Sequence, residues 1–241
     1  MKYVIVPLLI MLCTSGFGYD GAFFNLYAPE SGISEGDFEF SMNHRFFGAA
    51  FKDDPFDTFL GLDSGANVRF ALSYFPVENL SFGLSHSRLG STNSIYAGWS
   101  ESLLSPGIEF GLVAGYESVK MSSNSDREGG IIATAAVSAW LLNGRIRPVF
   151  NYSYDGYREE SGASAGLEVN VRDRMSLIGE YFLSTDSDDL NNCYTFGCRY
   201  STWGHQFMLG MTNSAGTSSY EQLAGSSTSD LSIALSIRRL I

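Results

Sequence analysis

The side chains best able to do chemistry in this chain recur at intervals instead of clustering. Glu39, Arg45, Asn67, Arg69, Glu109, Glu117, Arg147, Asp155, Glu168, Glu180, Arg199 and Arg238 each sit in a short stretch whose alternate residues are apolar. Arginines and carboxylates that face one another in a confined space form charge-assisted pairs. Spread around a wider bore, the same groups line a hydrated pore with a transverse field. Nucleophilic candidates are fewer. Of His44, His86 and His205, only His86 has a hydroxyl beside it, on Ser87. Adjacent residues of an extended chain point opposite ways, so the two make no nucleophile and base pair without a bulge. Two acidic stretches, Asp53-Asp54-Pro55-Phe56-Asp57 and Asp186-Ser187-Asp188-Asp189, lack the glycine that a calcium loop needs at its sharp turn. They read as solvated loops, and no metal or cofactor is expected.

The elements that must position these residues are strands. From Ser64 to Tyr74, Ala66, Val68, Phe70, Leu72 and Tyr74 share one face, and Gly65, Asn67, Arg69, Ala71 and Ser73 the other. That period of two marks a strand with an apolar and a polar side. It recurs in twelve segments, expected at 38–46, 64–75, 80–89, 93–102, 107–120, 130–142, 145–155, 162–172, 175–185, 193–201, 204–213 and 227–238. The connections alternate between short and long. Asn143-Gly144 has the residues of a tight type I′ hairpin turn. Bacterial single-chain membrane barrels have an even number of strands, short turns on the periplasmic side and long loops outside. The expected fold is therefore all-β, a 12-stranded antiparallel transmembrane up-and-down barrel. Protease added outside is expected to reach residues 121–129 and 214–226 and to spare 143–144 and 173–174.

A water-soluble sandwich or small barrel would also show short alternating strands, but its interior would be the apolar face. Here the minority face carries about one charge per strand and collects the glycines, which makes sense if the inside is the wet side. Twenty-six glycines, 13 tyrosines and 18 phenylalanines against 17% charged residues suit aromatic belts on such a wall. No segment approaches the roughly 18 apolar residues of a membrane-spanning helix. Fifteen basic against 26 acidic residues, a net charge of −11, argue against nucleic acid as a partner. Lys2, the apolar run Tyr3 to Cys13 and the small residues up to Gly18 read as a secretory signal peptide. Residues 1–18 are thus expected to be removed, 19–37 to form a lead-in and 38–241 the barrel. Cys193 and Cys198 lie on opposite faces if one strand holds both, so a disulfide between them needs a bulge or loop.

Twelve strands fall between the eight that side chains just fill and the 16 to 18 that leave an open channel. Arg45, Asn67, Arg69, Glu109, Glu117, Arg147, Glu168, Glu180, Arg199 and Arg238 are expected to line the lumen. Pairing of Arg69, Arg147 and Arg199 with Glu109, Glu168 and Glu180 is expected to leave it closed or nearly so. Residues 47–62 contain Phe51, Phe56, Phe59 and Leu60. They are too apolar for a freely wet tip, and either fold inward as a plug or lie on the membrane surface.

The stretch Asn43-His44-Arg45-Phe46, the block Gly61-Leu62-Asp63-Ser64-Gly65-Ala66-Asn67-Val68-Arg69-Phe70, and later Gly204-His205-Gln206-Phe207 and Thr212-Asn213-Ser214 resemble a family of bacterial outer-membrane-type β-barrel proteins of unassigned function. The resemblance implies the barrel fold and the outer membrane of a Gram-negative-type cell, and no activity. The last strand of that family usually ends on an aromatic residue; this chain ends Leu240-Ile241. The function expected is non-enzymatic: a narrow pore for small solutes, or a largely plugged structural barrel that displays its loops. Its partners are expected to be outer-membrane lipids and the barrel-insertion machinery. The alternative is a lipid hydrolase of the outer-membrane phospholipase type, a class of twelve-stranded barrels with serine and histidine on the outer wall.

Overall fold

Twelve antiparallel strands close on themselves in a computed structural model that describes residues 23–29, 33–52, 54–104, 107–122, 124–185 and 190–241. They are β1 (Phe38–Ala49), β2 (Ala66–Val77), β3 (Leu80–Ser87), β4 (Thr92–Leu104), β5 (Ile108–Val119), β6 (Glu128–Ala139), β7 (Ile146–Asp155), β8 (Glu160–Arg172), β9 (Met175–Phe182), β10 (Cys193–Thr202), β11 (His205–Thr212) and β12 (Ser232–Leu240). Each strand pairs with its neighbours in sequence, and β1 closes the ring against β12 in the register Asn43 to Ser236. Phe38 and Ile241 exchange backbone hydrogen bonds of 3.0 and 2.7 Å across that seam, so the aliphatic end of the chain still completes the ladder. Residues 1–18, read as a signal peptide, lie outside the described residues.

The strands follow from the alternation in sequence, and the two wall faces show which solvent each meets. Phe70, Leu84, Ile95, Leu112, Phe150 and Leu209 point outward and are exposed, whereas Ser41, Asn43, Arg45, Glu117, Glu168 and Gln206 point inward and are buried. A soluble barrel would reverse this arrangement. Aromatic rings pair across strands on the outer wall, as in Phe38 with Tyr74 at 4.7 Å and Trp99 with Phe110 at 6.1 Å between centroids. Among the described residues no helix is long and apolar enough to cross a membrane; the crossing elements are strands.

One rim carries the short turns. Between β6 and β7, Leu142, Asn143 and Gly144 all take positive φ (51°, 57° and 80°). The Leu141–Ile146 pair closes the turn, which is therefore wider than a two-residue hairpin. The other rim carries the long connections; one of these takes the outer of its two expected placements, and one departs from expectation. Residues 47–62 do not plug the barrel: Phe51, Phe56 and Phe59 are exposed, and Gly61 packs on the Gly48 backbone. The connection from β11 to β12 does enter the mouth, burying Thr217, Ser218, Ser219, Gln222 and Leu223. The expectation that protease reaches 214–226 is corrected accordingly. The physical reason is that a wet lumen buries hydrophilic residues, so a polar stretch is not thereby an exposed one.

Candidate functional site

The ten expected lumen residues all point into the barrel, and all but Arg69, Glu109 and Arg238 are buried there. On the inner faces of β5, β6 and β7, Arg147 donates to Glu109 Oε2 at 2.6 Å and to Ser138 Oγ at 3.3 Å, and its guanidinium lies over the Trp140 ring. Between β8, β9 and β10, Arg199 pairs with Glu168, which also accepts from Ser176 Oγ at 2.9 Å. Arg238 meets Glu39 at 3.5 Å near the β1–β12 seam. These are charge-assisted contacts across neighbouring strands, the geometry that inward arginines and glutamates on a tight ring dictate.

Two expected pairings are replaced. Arg69 donates to the Thr217 carbonyl at 3.1 Å and to Ser85 Oγ at 3.0 Å, not to a carboxylate. Glu180 takes no arginine as its hydrogen-bond partner; it accepts from the backbone N–H groups of Phe24 at 2.5 Å and Asn25 at 3.0 Å. Both replacements have one cause. The lumen is occupied from both ends by backbone, which supplies donors and acceptors of its own.

From the turn rim, residues 23–29 run up the lumen. Arg45 donates to the Phe24 carbonyl at 2.7 Å and to Asn25 Oδ1 at 2.9 Å. Asn25 Nδ2 donates to Thr195 Oγ1 at 3.1 Å, and Arg147 reaches the Pro29 carbonyl. Phe23, Phe24, Leu26 and Ala28 form a buried apolar cluster with the inward-facing Val149, Ile178, Phe182, Cys193, Met208 and Ala234. Cys193 and Cys198 are free thiols, the first inside and the second on the outer wall.

From the loop rim, the β11–β12 connection is folded upon itself and pinned to the wall. Thr217 donates from its backbone N and its Oγ1 to Glu221 Oε2 at 2.6 and 3.0 Å, and Gln222 Nε2 to the Gly216 carbonyl at 2.8 Å. Asn67 Nδ2 donates to the Ala215 carbonyl at 2.8 Å, while its Oδ1 accepts from Ser87 Oγ and the Leu89 N–H. Burial lifts the Tyr220 hydroxyl above the usual tyrosine range. Outside, Lys52 donates to Asp230 at 2.9 Å, which ties the β1–β2 loop to this one and holds the aspartate below its ordinary pKa. Between the two insertions and the wall of β1 to β6 lies a cavity of about 150 Å³, lined among others by Glu39, Arg69, Tyr96, Trp99, Tyr220 and Arg238. It extends to Glu78 and Asn79 at the turn rim.

Residues 23–29 and 217–223 were not among the sequence candidates, although the wall carries a signal for the first. Gly111, Gly166, Gly197 and Gly210 all face inward where the segment passes. A methyl at Gly111 would stand 2.8 Å from Tyr27 and one at Gly166 would overlap Leu26, while one at Gly197 or Gly210 would meet the backbone of the adjoining strand first and Phe24 Cζ next, at 2.8 or 2.7 Å. Glycines on a polar inner face, with aliphatic residues interrupting the polar pattern at Val149, Ile178 and Met208, indicate something apolar inside. On the outer wall, His86 Nδ1 lies 2.8 Å from Asn93 Oδ1. Ser87 is turned into the lumen, donating to Asn67. The cross-strand partners of His86 are Phe70 and Asn93. Among the described residues no cluster of histidine, cysteine and carboxylate could hold a metal.

Residues 30–125 match the model of a family described as a membrane bound beta barrel domain (DUF5777). The fold is that of a membrane β-barrel. In structure it is similar to the KdgM porin, at a TM-score of 0.56 and 7% identity over 84% of this chain and 98% of that one. It is also similar to the KdgM porin in complex with disordered oligogalacturonate, at 0.55 and 8% over the same shares. The Acinetobacter baumannii outer membrane protein Omp33 aligns at 0.51 and 9%, over 86% and 99%. At such identities the likeness is one of fold. No curated protein matches the chain in sequence.

Proposed function

We propose that the protein is a non-enzymatic barrel of the outer membrane, a narrow pore for small solutes that its own lumen contents hold nearly shut. The observation that carries this is the occupied polar lumen. Arg147 and Arg199 pair with carboxylates across the wall, segments enter from both rims, and a cavity remains along β1 to β6. The porin-like fold supports the same reading. In this reading the long loops face the medium, the short turns face the periplasm and the apolar outer wall meets membrane lipids. Export through the signal peptide at residues 1–18 and assembly by the insertion machinery complete it. One similar porin was solved with an oligogalacturonate. Here the cavity carries Arg69 and Arg238 beside Glu39 and Glu78, both signs together, which suits a small solute of no net charge. A hydrolase on the outer wall would need a nucleophile at His86, and neither cross-strand partner is one.

Planar-bilayer recordings and liposome swelling with the refolded chain test this. The expected result is near-silent current with rare small openings, together with slow entry of monosaccharides and none of tetrasaccharides. Steady large conductance would overturn the shut state, and the absence of any solute entry would overturn the pore.

A further inference from the structure

We propose that the inner wall from β5 through β12 to β1 is a built binding site for a bent, aromatic-rich peptide, that residues 23–29 of the same chain are its resident occupant, and that their release opens the lumen. The opening step rests on the pore reading above; the binding site does not. A segment that merely filled space would need bulk and nothing else. This wall recognises its occupant in three distinct ways.

The first is shape. Gly111 on β5 and Gly166 on β8 form notches that receive Tyr27 and Leu26, where any side chain would collide with the occupant; Gly197 and Gly210, which first meet the backbone of each other's strand, bring Phe24 close to a third bare stretch of wall. The second is apolar complementarity, since Val149, Ile178, Phe182 and Met208 interrupt the polar inner face where the segment lies and pack with its Phe23, Phe24, Leu26 and Ala28. The third is backbone chemistry. The Glu180 carboxylate accepts two consecutive amide N–H groups, and Arg45 and Arg147 donate to the carbonyls of Phe24 and Pro29. Contacts of this last kind read the bent backbone at residues 24–26 whatever its side chains, and the notches add the sequence preference.

The segment can leave without opening the seam. Residues 33–37, between it and β1, are fixed at the turn rim: Gly36 N donates to the Phe75 carbonyl at 2.7 Å, and Ser34 N to Asp37 Oδ2 at 2.8 Å. What holds the segment inside is reversible packing and hydrogen bonding, so an added peptide of the same chemistry competes for the same wall.

The test uses the full chain refolded in detergent, with chymotrypsin cleavage after Phe23, Phe24, Leu26 or Tyr27 read by mass spectrometry. Wild-type protein should be spared there. Gly166→Leu, whose added Cβ has only Leu26 and Phe23 as its nearest neighbours, should be cut at least tenfold faster. Gly179→Leu, placed where an added Cβ meets nothing within 4 Å, should behave as wild type. An excess of the synthetic peptide Phe-Phe-Asn-Leu-Tyr-Ala-Pro should speed cleavage of the wild-type segment, and the reversed sequence should not. The site is overturned if wild type is cut as fast as Gly166→Leu, or if the peptide and its reverse act alike. Heat-modifiable gel migration shows which variants hold a folded barrel, and if Gly166→Leu does not, the peptide competition on wild type decides. No current is read, so a failed pore leaves this result standing.

Discussion

Arg147 serves two acceptors at once, the Glu109 carboxylate and the Pro29 carbonyl, and thereby joins the wall to the segment it encloses. Arg147→Ala leaves Glu109 with Ser138 Oγ and strands the carbonyl. Charged hydrogen bonds lost in this way cost about 1 to 3 kcal/mol, less than in a dry core because water enters a polar lumen. Solvation of the carboxylate draws in cations, so the variant should unfold at lower denaturant and show a small cation-preferring conductance that wild type lacks. Both acceptors are served by Nη2, so Arg147→Lys keeps the charge and one donating nitrogen but loses the Nε donor to Ser138 Oγ and the flat face over Trp140, and should recover only part of each effect. A wild-type barrel that conducts steadily, with Arg147→Ala altering nothing but ion preference, would sink the closed lumen.

At the scale of elements, the two long connections that carry the most unusual residues do opposite things. The apolar 47–62 stays outside, and the polar 213–226 goes in. External protease on intact cells should therefore cut within 121–127, where Met121 and Arg127 are exposed, and spare 213–226 as well as the turns at 143–144 and 173–174. The buried connection is held by Glu221, which takes both Thr217 donors. Glu221→Ala should cost about 1 to 2 kcal/mol of local stability and turn 213–226 into a cut site, while Glu128→Ala on the exposed rim should not. Cleavage of wild-type 213–226 at the rate of 121–127 would show that the connection lies outside the mouth.

The whole molecule is polar inside and apolar outside, a polarity that only a lipid solvent rewards. Arginine at Phe70 or Leu112, both outward and exposed, should cost about 2 to 4 kcal/mol near the bilayer midplane. Asn151 faces the lumen, with no hydrogen-bond partner for its amide among the described residues; Asn151→Ala should stay within about 1 kcal/mol. Asn67→Ala is not the neutral control that its inward position suggests, because Asn67 binds Ala215, Ser87 and Leu89. Unfolding titrations in liposomes compare the three, and equal tolerance of Phe70→Arg and Asn151→Ala would reverse the facing of the wall.

The twelve strands, their even pairing and the inward set from Arg45 to Arg238 were legible in sequence, because a period of two with one apolar side is a local property that each strand carries by itself. The pairs Arg147–Glu109 and Arg199–Glu168 were nearly so, since neighbouring strands must bring inward residues close. What filled the lumen was not. Residues 23–29 have no period to read, and 217–223 look like any solvated loop. Their burial depends on a wall assembled from residues more than 100 positions away, as in the hydrogen bonds from Phe24 and Asn25 to Glu180. Glu180 and Arg69 changed partners for the same reason: once backbone enters the lumen it competes with side-chain charges for every hydrogen bond, and only the closed tertiary structure decides which of the two arrives.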